Sequence, residues 1–232
     1  MNVAIMQPYF FPYIGYFQLI GAADLFIIYD DIKYTKKGWI NRNRFLRNGA
    51  DCVFTVPVRK DSDFLDVKDR LLARDFDRIK LVNQLREAYR HAPHFGEAFP
   101  VVEKSIMSSL ENLFEYIHAS LLEVCRYLAI GTRIVQSSSV AVDPQLKAQD
   151  RVLALCKAAG AKRYINAMGG RKLYSREEFA AQDIELKFLE PRSITYQQFG
   201  EPFVPWLSII DVMMFNPVPK IREFVETGYE LV

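Results

Sequence analysis

The chain has 232 residues, half of them apolar and a quarter charged, with a formal net charge of +2 at pH 7. That length buries roughly 70% of the unfolded surface without disulfide or metal staples, and so mild a charge argues against a nucleic-acid binder, which carries a strongly basic face. Cys52, Cys125 and Cys156 are odd in number and far apart, which leaves no disulfide framework or metal-ligand spacing and points to a reducing compartment.

In chain order, Asn2–Met6 is a short apolar run closed by Gln7-Pro8 and reads as a buried strand. A loop holding Pro8 and Pro12 leads into a predicted helix from Ile14 to Ala22, and Leu25–Tyr29 is a second buried strand. Strand, loop, helix, strand is a βαβ unit, whose right-handed crossover builds parallel sheet. Asn48-Gly49-Ala50-Asp51 marks a turn before a strand at Cys52–Val58, with Pro57 placing its end at a sheet margin.

Residues 77–130 change character. Asp77–Arg90, Pro93–Met107 and Leu110–Ile130 carry apolar residues at helical spacing and form a predominantly helical segment. Strand pattern returns at Arg133–Gln136, and Asp143 before Pro144 signals the N-cap of a helix running to Ala159. A short strand through Asn166 is followed by a Gly169-Gly170 loop, by a capping-box spacing at Ser175 and Glu178, and by a strand at Ile184–Leu189. A helical stretch at Trp206–Met214 and a closing helix flank the Asn216-Pro217-Val218-Pro219 break. The expectation is a single α/β domain over residues 1–232, with a three-layer, largely parallel Rossmann-like sheet and a helical stretch between its halves.

The N-terminus has no basic leader before an apolar run, and no apolar segment reaches the ~20 residues of a membrane span. A cytoplasmic protein with no membrane insertion is expected. His91 and His94 straddle Pro93, and His118 lies in a helical pattern. Neither arrangement gives the one-turn pair on an intact helix that a metal site uses, so no metal is expected.

The chain holds 17 Phe, 12 Tyr and 2 Trp, and 11 of these rings fall in residues 1–45. They are interleaved with Gln, Pro, Gly, Asp, Asn and Arg, a mixture suited to a pocket with ring walls and a few orienting polar groups. In an open α/β sheet ligands bind beyond the carboxyl ends of the strands. The first strand offers Gln7, Tyr9, Tyr13 and Tyr16 there, the second Asp30 and Asp31, and a later one Asn166, Gly169, Gly170, Arg171 and Lys172. Asp30 and Asp31, adjacent on an extended segment, would face opposite ways; each is a candidate base or hydroxyl ligand, or a strand-end turn.

If Trp39–Phe45 is extended, Trp39, Asn41, Asn43 and Phe45 share one face, and Arg42 and Arg44 share the other, where they fork onto a phosphate or carboxylate. A solvated basic hairpin paired to Asp30 and Asp31 would use the same residues. Paired glycines let backbone N–H groups approach an oxyanion, although a plain strand–helix turn needs them too. Asp211, inside an apolar run, must be paired or hydrogen-bonded if buried, and is a further candidate.

Gln7-Pro8-Tyr9-Phe10-Phe11-Pro12-Tyr13-Ile14-Gly15-Tyr16, Asp30-Asp31, Trp39-Ile40-Asn41-Arg42-Asn43-Arg44 and Leu207-Ser208-Ile209-Ile210-Asp211 together resemble the WbqC-like protein family across essentially the whole chain. The resemblance implies an association with bacterial surface polysaccharide, including O-antigen, and names no reaction or cofactor. Tyr13-Ile14-Gly15-Tyr16 also bears a fainter likeness to the His-x-Gly-His loop of HIGH-type nucleotidyltransferases. Tyrosine, with a pKa of ~10, does not replace a phosphate-binding imidazolium.

The functional expectation is a transferase that modifies an activated sugar, with acyl or aminoacyl transfer to an amino-sugar nucleotide as the reaction. Its partners would be a sugar nucleotide or other small substrate and an acyl donor. Tyr9, Tyr13 and Trp39 would wall the sugar or base, Arg42, Arg44 and Arg171 would meet phosphate, and Asp30, Asp31 or Asp211 would orient or deprotonate the acceptor. The alternatives are a nucleotidyltransferase with a degenerate motif and a non-catalytic sugar-binding or scaffolding subunit.

Overall fold

The computed structural model describes residues 1–232. Strands β1 (Asn2–Met6), β2 (Leu25–Ile28), β5 (Arg133–Gln136), β6 (Arg163–Ala167) and β7 (Glu185–Pro191) pair in parallel in the order β5-β2-β1-β6-β7, and β8 (Tyr229–Leu231) adds antiparallel to β7. The sheet is the largely parallel one expected. β8 is an addition, because three residues, though they alternate, are too short a run to read as a strand.

Side chains alternate between two cores. Val3, Ile5, Leu25, Ile27, Tyr164, Leu186 and Phe188 face a smaller one with Val152, Leu155 and Phe179, whereas Ala4, Phe26, Ile28, Ile165 and Leu189 face the larger. Helices α5 (Ala148–Ala158) and α6 (Arg176–Ala180) supply the first layer. On the other face lie α1 (Ile14–Gly21), α7 (Ile209–Phe215) and α8 (Val218–Thr227), together with α2 (Arg78–Tyr89), α3 (Phe95–Ile106) and α4 (Leu113–Tyr127). Covered on both faces, the central strands read as continuous apolar runs, which is why Leu-Phe-Ile-Ile of β2 is buried throughout. The result is a three-layer α/β fold.

Two segments depart from expectation. The strand expected at Cys52–Val58 is β4 (Ala50–Thr55), which pairs only with β3 (Arg42–Arg47) in a separate hairpin. The helix expected from Asp143 begins at Ala148 instead. Asp143 accepts a bond from the Gln145 N–H and closes a turn, and Ala148 has φ of +47°. Ser175 does cap α6 through the Glu178 N–H, but the reciprocal half of the box goes elsewhere: Glu178 and the Ser175 N–H both engage Gln149.

Candidate functional site

From β1 the sheet grows one way through β2 to β5 and the other way through β6 to β7. Connections leaving β1 and β6 therefore diverge and open a crevice at their carboxyl ends. A cleft of about 480 Å³ lies there. Met6 and Gln7 enter from β1, Tyr29 and Ile32 from beyond β2, and Asn166, Gly169 and Gly170 from β6. Tyr9, Tyr13, Tyr16 and Tyr174 supply most of its ring surface.

Local chemistry shapes these walls. Pro8 and Pro12 keep the loop after β1 out of helix until Ile14. The Tyr16 hydroxyl donates to the Gln7 carbonyl at 2.8 Å, and Tyr9 and Tyr16 rings sit 5.7 Å apart. Gly15 makes room for Tyr13: a β-carbon there would lie 2.3 Å from its ring. Gly170 does the same for Asn166, whose amide would be 2.2 Å from an added β-carbon.

Two further hollows adjoin the cleft. One of about 230 Å³ is lined by Tyr9, Pro12, Tyr13, Trp39, Asn43, Arg44 and Trp206. The other, about 330 Å³, lies between α7 and the segment after β7. Tyr13 lines all three and Trp206 lines both hollows, with the two rings 5.9 Å apart.

The hairpin presents Arg44 to this region. Arg44 donates to Asp51 at 3.2 Å and to the Trp206 carbonyl at 3.1 Å, leaving its buried Nε without a partner. Arg42 is turned to its own loop, donating to the Gly38 and Lys37 carbonyls at 2.9 and 2.6 Å. Trp39 does not share a face with Asn41 and Asn43, because a turn at Ile40-Asn41 interrupts the extended run. Its ring, 42% exposed, instead lies 5.2 and 5.6 Å from the guanidinium carbons of Arg42 and Arg44.

Asn41 and Asn43 are buried and pin backbone. Asn41 accepts from Tyr34 and donates to the Val56 carbonyl, and Asn43 donates to the Phe11 carbonyl at 2.8 Å. Ser208 donates to that same carbonyl at 2.7 Å, fixing Phe11 at φ of +43°. The aromatic loop is thus held from two sides.

None of the three candidate aspartates lines the cleft or either hollow. Asp30 accepts from Ser137 Oγ at 2.8 Å and from the Ser138 N–H and hydroxyl at 2.9 and 2.6 Å. Asp31 also engages Ser137 and pairs with Arg151, whose guanidinium lies over Tyr29. The two carboxylates do not point apart, because the strand ends at Ile28 and the chain bends. Asp211, fully buried in the first turn of α7, accepts from Tyr89 at 2.9 Å, Tyr196 at 2.7 Å and Gln198 at 2.8 Å. Its partners are neutral donors, not an arginine.

The cleft is therefore uncharged: no Asp, Glu, Lys, Arg or His lines it. Burial raises the Tyr9, Tyr13 and Tyr16 phenols above their usual range and pushes Tyr29 up to about 12, so all stay neutral near pH 7. His118, stacked on Phe114, is held low by burial. No group of three or more His, Cys, Asp or Glu is placed to hold a metal ion, and no helix is long and apolar enough to cross a membrane.

Of the expected site residues, Gln7, Tyr9, Tyr13, Tyr16, Gly169 and Gly170 meet in the cleft, and Trp39, Asn43 and Arg44 in the neighbouring hollow. Asn41, Arg42, Arg171, Asp30, Asp31 and Asp211 line neither; Arg171 is exposed beside Gly170. Tyr29, Tyr174 and Trp206 were outside that expectation. Tyr29 was accessible to the same strand-end rule, since it follows β2 directly, whereas Trp206 had no local signal.

This is an open α/β protein with a neutral, aromatic-lined cleft at its switch point. The chain belongs to the WbqC-like protein family, which matches residues 7–223. It is also 30% identical over 218 residues to the uncharacterized protein Rv1507c of Mycobacterium tuberculosis, covering 93% of each chain. No solved structure matches it.

Proposed function

We propose that the protein is a transferase acting on an activated sugar. A sugar nucleotide lies across the cleft with its rings among Tyr9, Tyr13 and Tyr16 and its phosphates toward Arg44, and an acyl group is placed on the sugar's amine. The observation that carries this reading is the uncharged, ring-walled cleft at the switch point, which shares Tyr9 and Tyr13 with the hollow that Arg44 lines. Aromatic faces suit the apolar face of a sugar or base, and a guanidinium suits phosphate. The reading places the reaction in bacterial surface polysaccharide assembly, O-antigen included, as the family resemblance implies.

On this reading the aspartates position rather than exchange protons with substrate. Asp31 sets Arg151 over the Tyr29 wall, and Asp30 ties the end of β2 to the serines after β5. Acceleration comes from holding amine and acyl carbonyl together. The absence of Asp, Glu, Lys, Arg and His from the cleft also favours a second reading, a sugar-binding subunit without turnover.

Calorimetric titration and thermal shift with UDP- and dTDP-linked amino sugars test the proposal. Saturation at 100 times the dissociation constant adds about 2.7 kcal/mol, or roughly 5–10 °C for a chain of this size. Arg44→Ala removes a charge-assisted contact of about 1.5–3 kcal/mol and weakens binding tenfold or more. No response to any sugar nucleotide from folded protein rejects both readings. Binding without an acylated product, by mass spectrometry across a set of acyl thioesters, leaves the subunit.

A further inference from the structure

The 330 Å³ hollow is built from an irregular segment, Arg192 to Ser208, between β7 and α7. Structureless loops of this length inside a compact domain are uncommon and usually functional. This one is fastened at several points. Tyr196 and Gln198 both donate to Asp211, and Gln198 also bridges to the Val204 backbone in both directions. Arg44 donates to the Trp206 carbonyl and accepts from the Ser208 N–H through its own backbone. Trp206 is held at φ of +60° with its ring 62% exposed, a strained position for an aromatic residue.

The chamber so formed is mostly apolar. Ile194, Phe203, Pro205, Leu207, Val212 and Tyr13 are its walls, and its one charged lining residue, Arg192, is engaged with Glu230 at 3.0 Å. A phosphate finds no unpaired charge in it. Its volume sits at the small end of ligand pockets, about 300–1,000 Å³. Tyr13 lines both this chamber and the cleft, so the two adjoin at that side chain.

We propose that this chamber is the donor subsite and takes the apolar chain of an acyl thioester. The proposal rests on the transferase reading for the identity of the acceptor. The sugar's amine nitrogen bonds to the thioester carbonyl carbon, the C–S bond breaks, and the proton lost from nitrogen leaves with the sulfur as a free thiol. Asp211 is a positioning residue here, acting through Tyr196 and Gln198 on the chamber wall.

The test is calorimetric titration of the whole protein with S-acyl pantetheines from acetyl to octanoyl. Each methylene that enters should tighten binding about fourfold, the equivalent of about 0.8 kcal/mol, until the chamber is full and the trend flattens. Ile194→Trp and Thr195→Trp each add bulk at a lining position; Thr195 is exposed, so the second variant leaves the buried core untouched. In folded variants the chain-length dependence should vanish while sugar-nucleotide affinity is unchanged. A flat response to chain length in the native protein, or a slope that survives in both folded variants, overturns the donor subsite. A chain-length slope without any sugar-nucleotide binding keeps the chamber and removes the proposed acceptor.

Discussion

Asp211 offers the sharpest test of how the site is held. Replacing it with alanine removes the acceptor shared by Tyr89, Tyr196 and Gln198. Gln198 keeps the Val204 carbonyl, but the two phenols lose their acceptor in a buried setting. Two unsatisfied hydroxyls at about 1–3 kcal/mol each give about 2–6 kcal/mol. Relief of the buried carboxylate offsets part of this and brings the expected loss to about 2–4 kcal/mol, large against a total of about 5–15 kcal/mol. Urea unfolding followed by circular dichroism should show the midpoint drop with little change in slope.

Burial raises the Asp211 carboxyl above its usual value, although hydrogen bonds from Tyr196, Gln198 and Tyr89 pull it down. A carboxyl whose folded pKa exceeds its unfolded one binds its proton more tightly when folded. Its contribution is greatest while protonated and declines as pH rises from the unfolded value through the folded one. Asp211→Asn stays neutral, so the stability of wild type relative to this variant should fall across that window. A loss under about 1 kcal/mol for Asp211→Ala, or a wild-type-minus-Asn difference that is flat with pH, refutes the reasoning.

Gly15→Ala forces the Tyr13 ring aside while gaining up to about 1 kcal/mol of helix propensity. Its melting temperature should hold or rise while sugar-nucleotide affinity falls about tenfold, by calorimetry. Arg151→Ala strands Asp31 in a pair whose side chains are only 9% and 13% exposed, and should cost about 3–5 kcal/mol in thermal unfolding. Burial pushes the Cys125 and Cys156 thiols up to about 12 while Cys52 is half-buried, so Ellman's reagent should find one reactive thiol in the native chain and three after unfolding.

The strands that a reader finds first are those whose pattern is local. β1 and β2 are mostly apolar runs bounded by turn residues, and β5, Arg-Ile-Val-Gln before a serine run, coincides with its expected limits at Arg133–Gln136. The strand-end rule then finds Gln7, Tyr9, Tyr13, Tyr16 and the Gly169-Gly170 loop, because in a parallel sheet strand ends and ligand site coincide. The same rule picks out Asp30 and Asp31, which partner Ser137, Ser138 and Arg151; a carboxylate at a strand end looks alike whether it faces ligand or protein. Trp39 was misplaced because face assignment assumes an unbroken strand. The chamber beside α7 has no local signature, since it depends on Asp211 meeting Tyr89 of α2 and Tyr196 and Gln198 of the loop after β7.

The strand order has a consequence for synthesis. β1 leaves the ribosome before the rest of its sheet, and β2, one of its two neighbours, follows within the same βαβ unit. The other neighbour is β6, where Val3 lies opposite Tyr164, so it emerges only after the hairpin, all of α2–α4 and α5. Until then β1 keeps an open backbone edge, and Val3 and Ile5 lack the α5 and α6 layer that later covers them. Such late pairing slows folding and leaves an adhesive edge on the nascent chain. The cleft, whose two sides are β1 and β6, comes into being at the step that closes this edge.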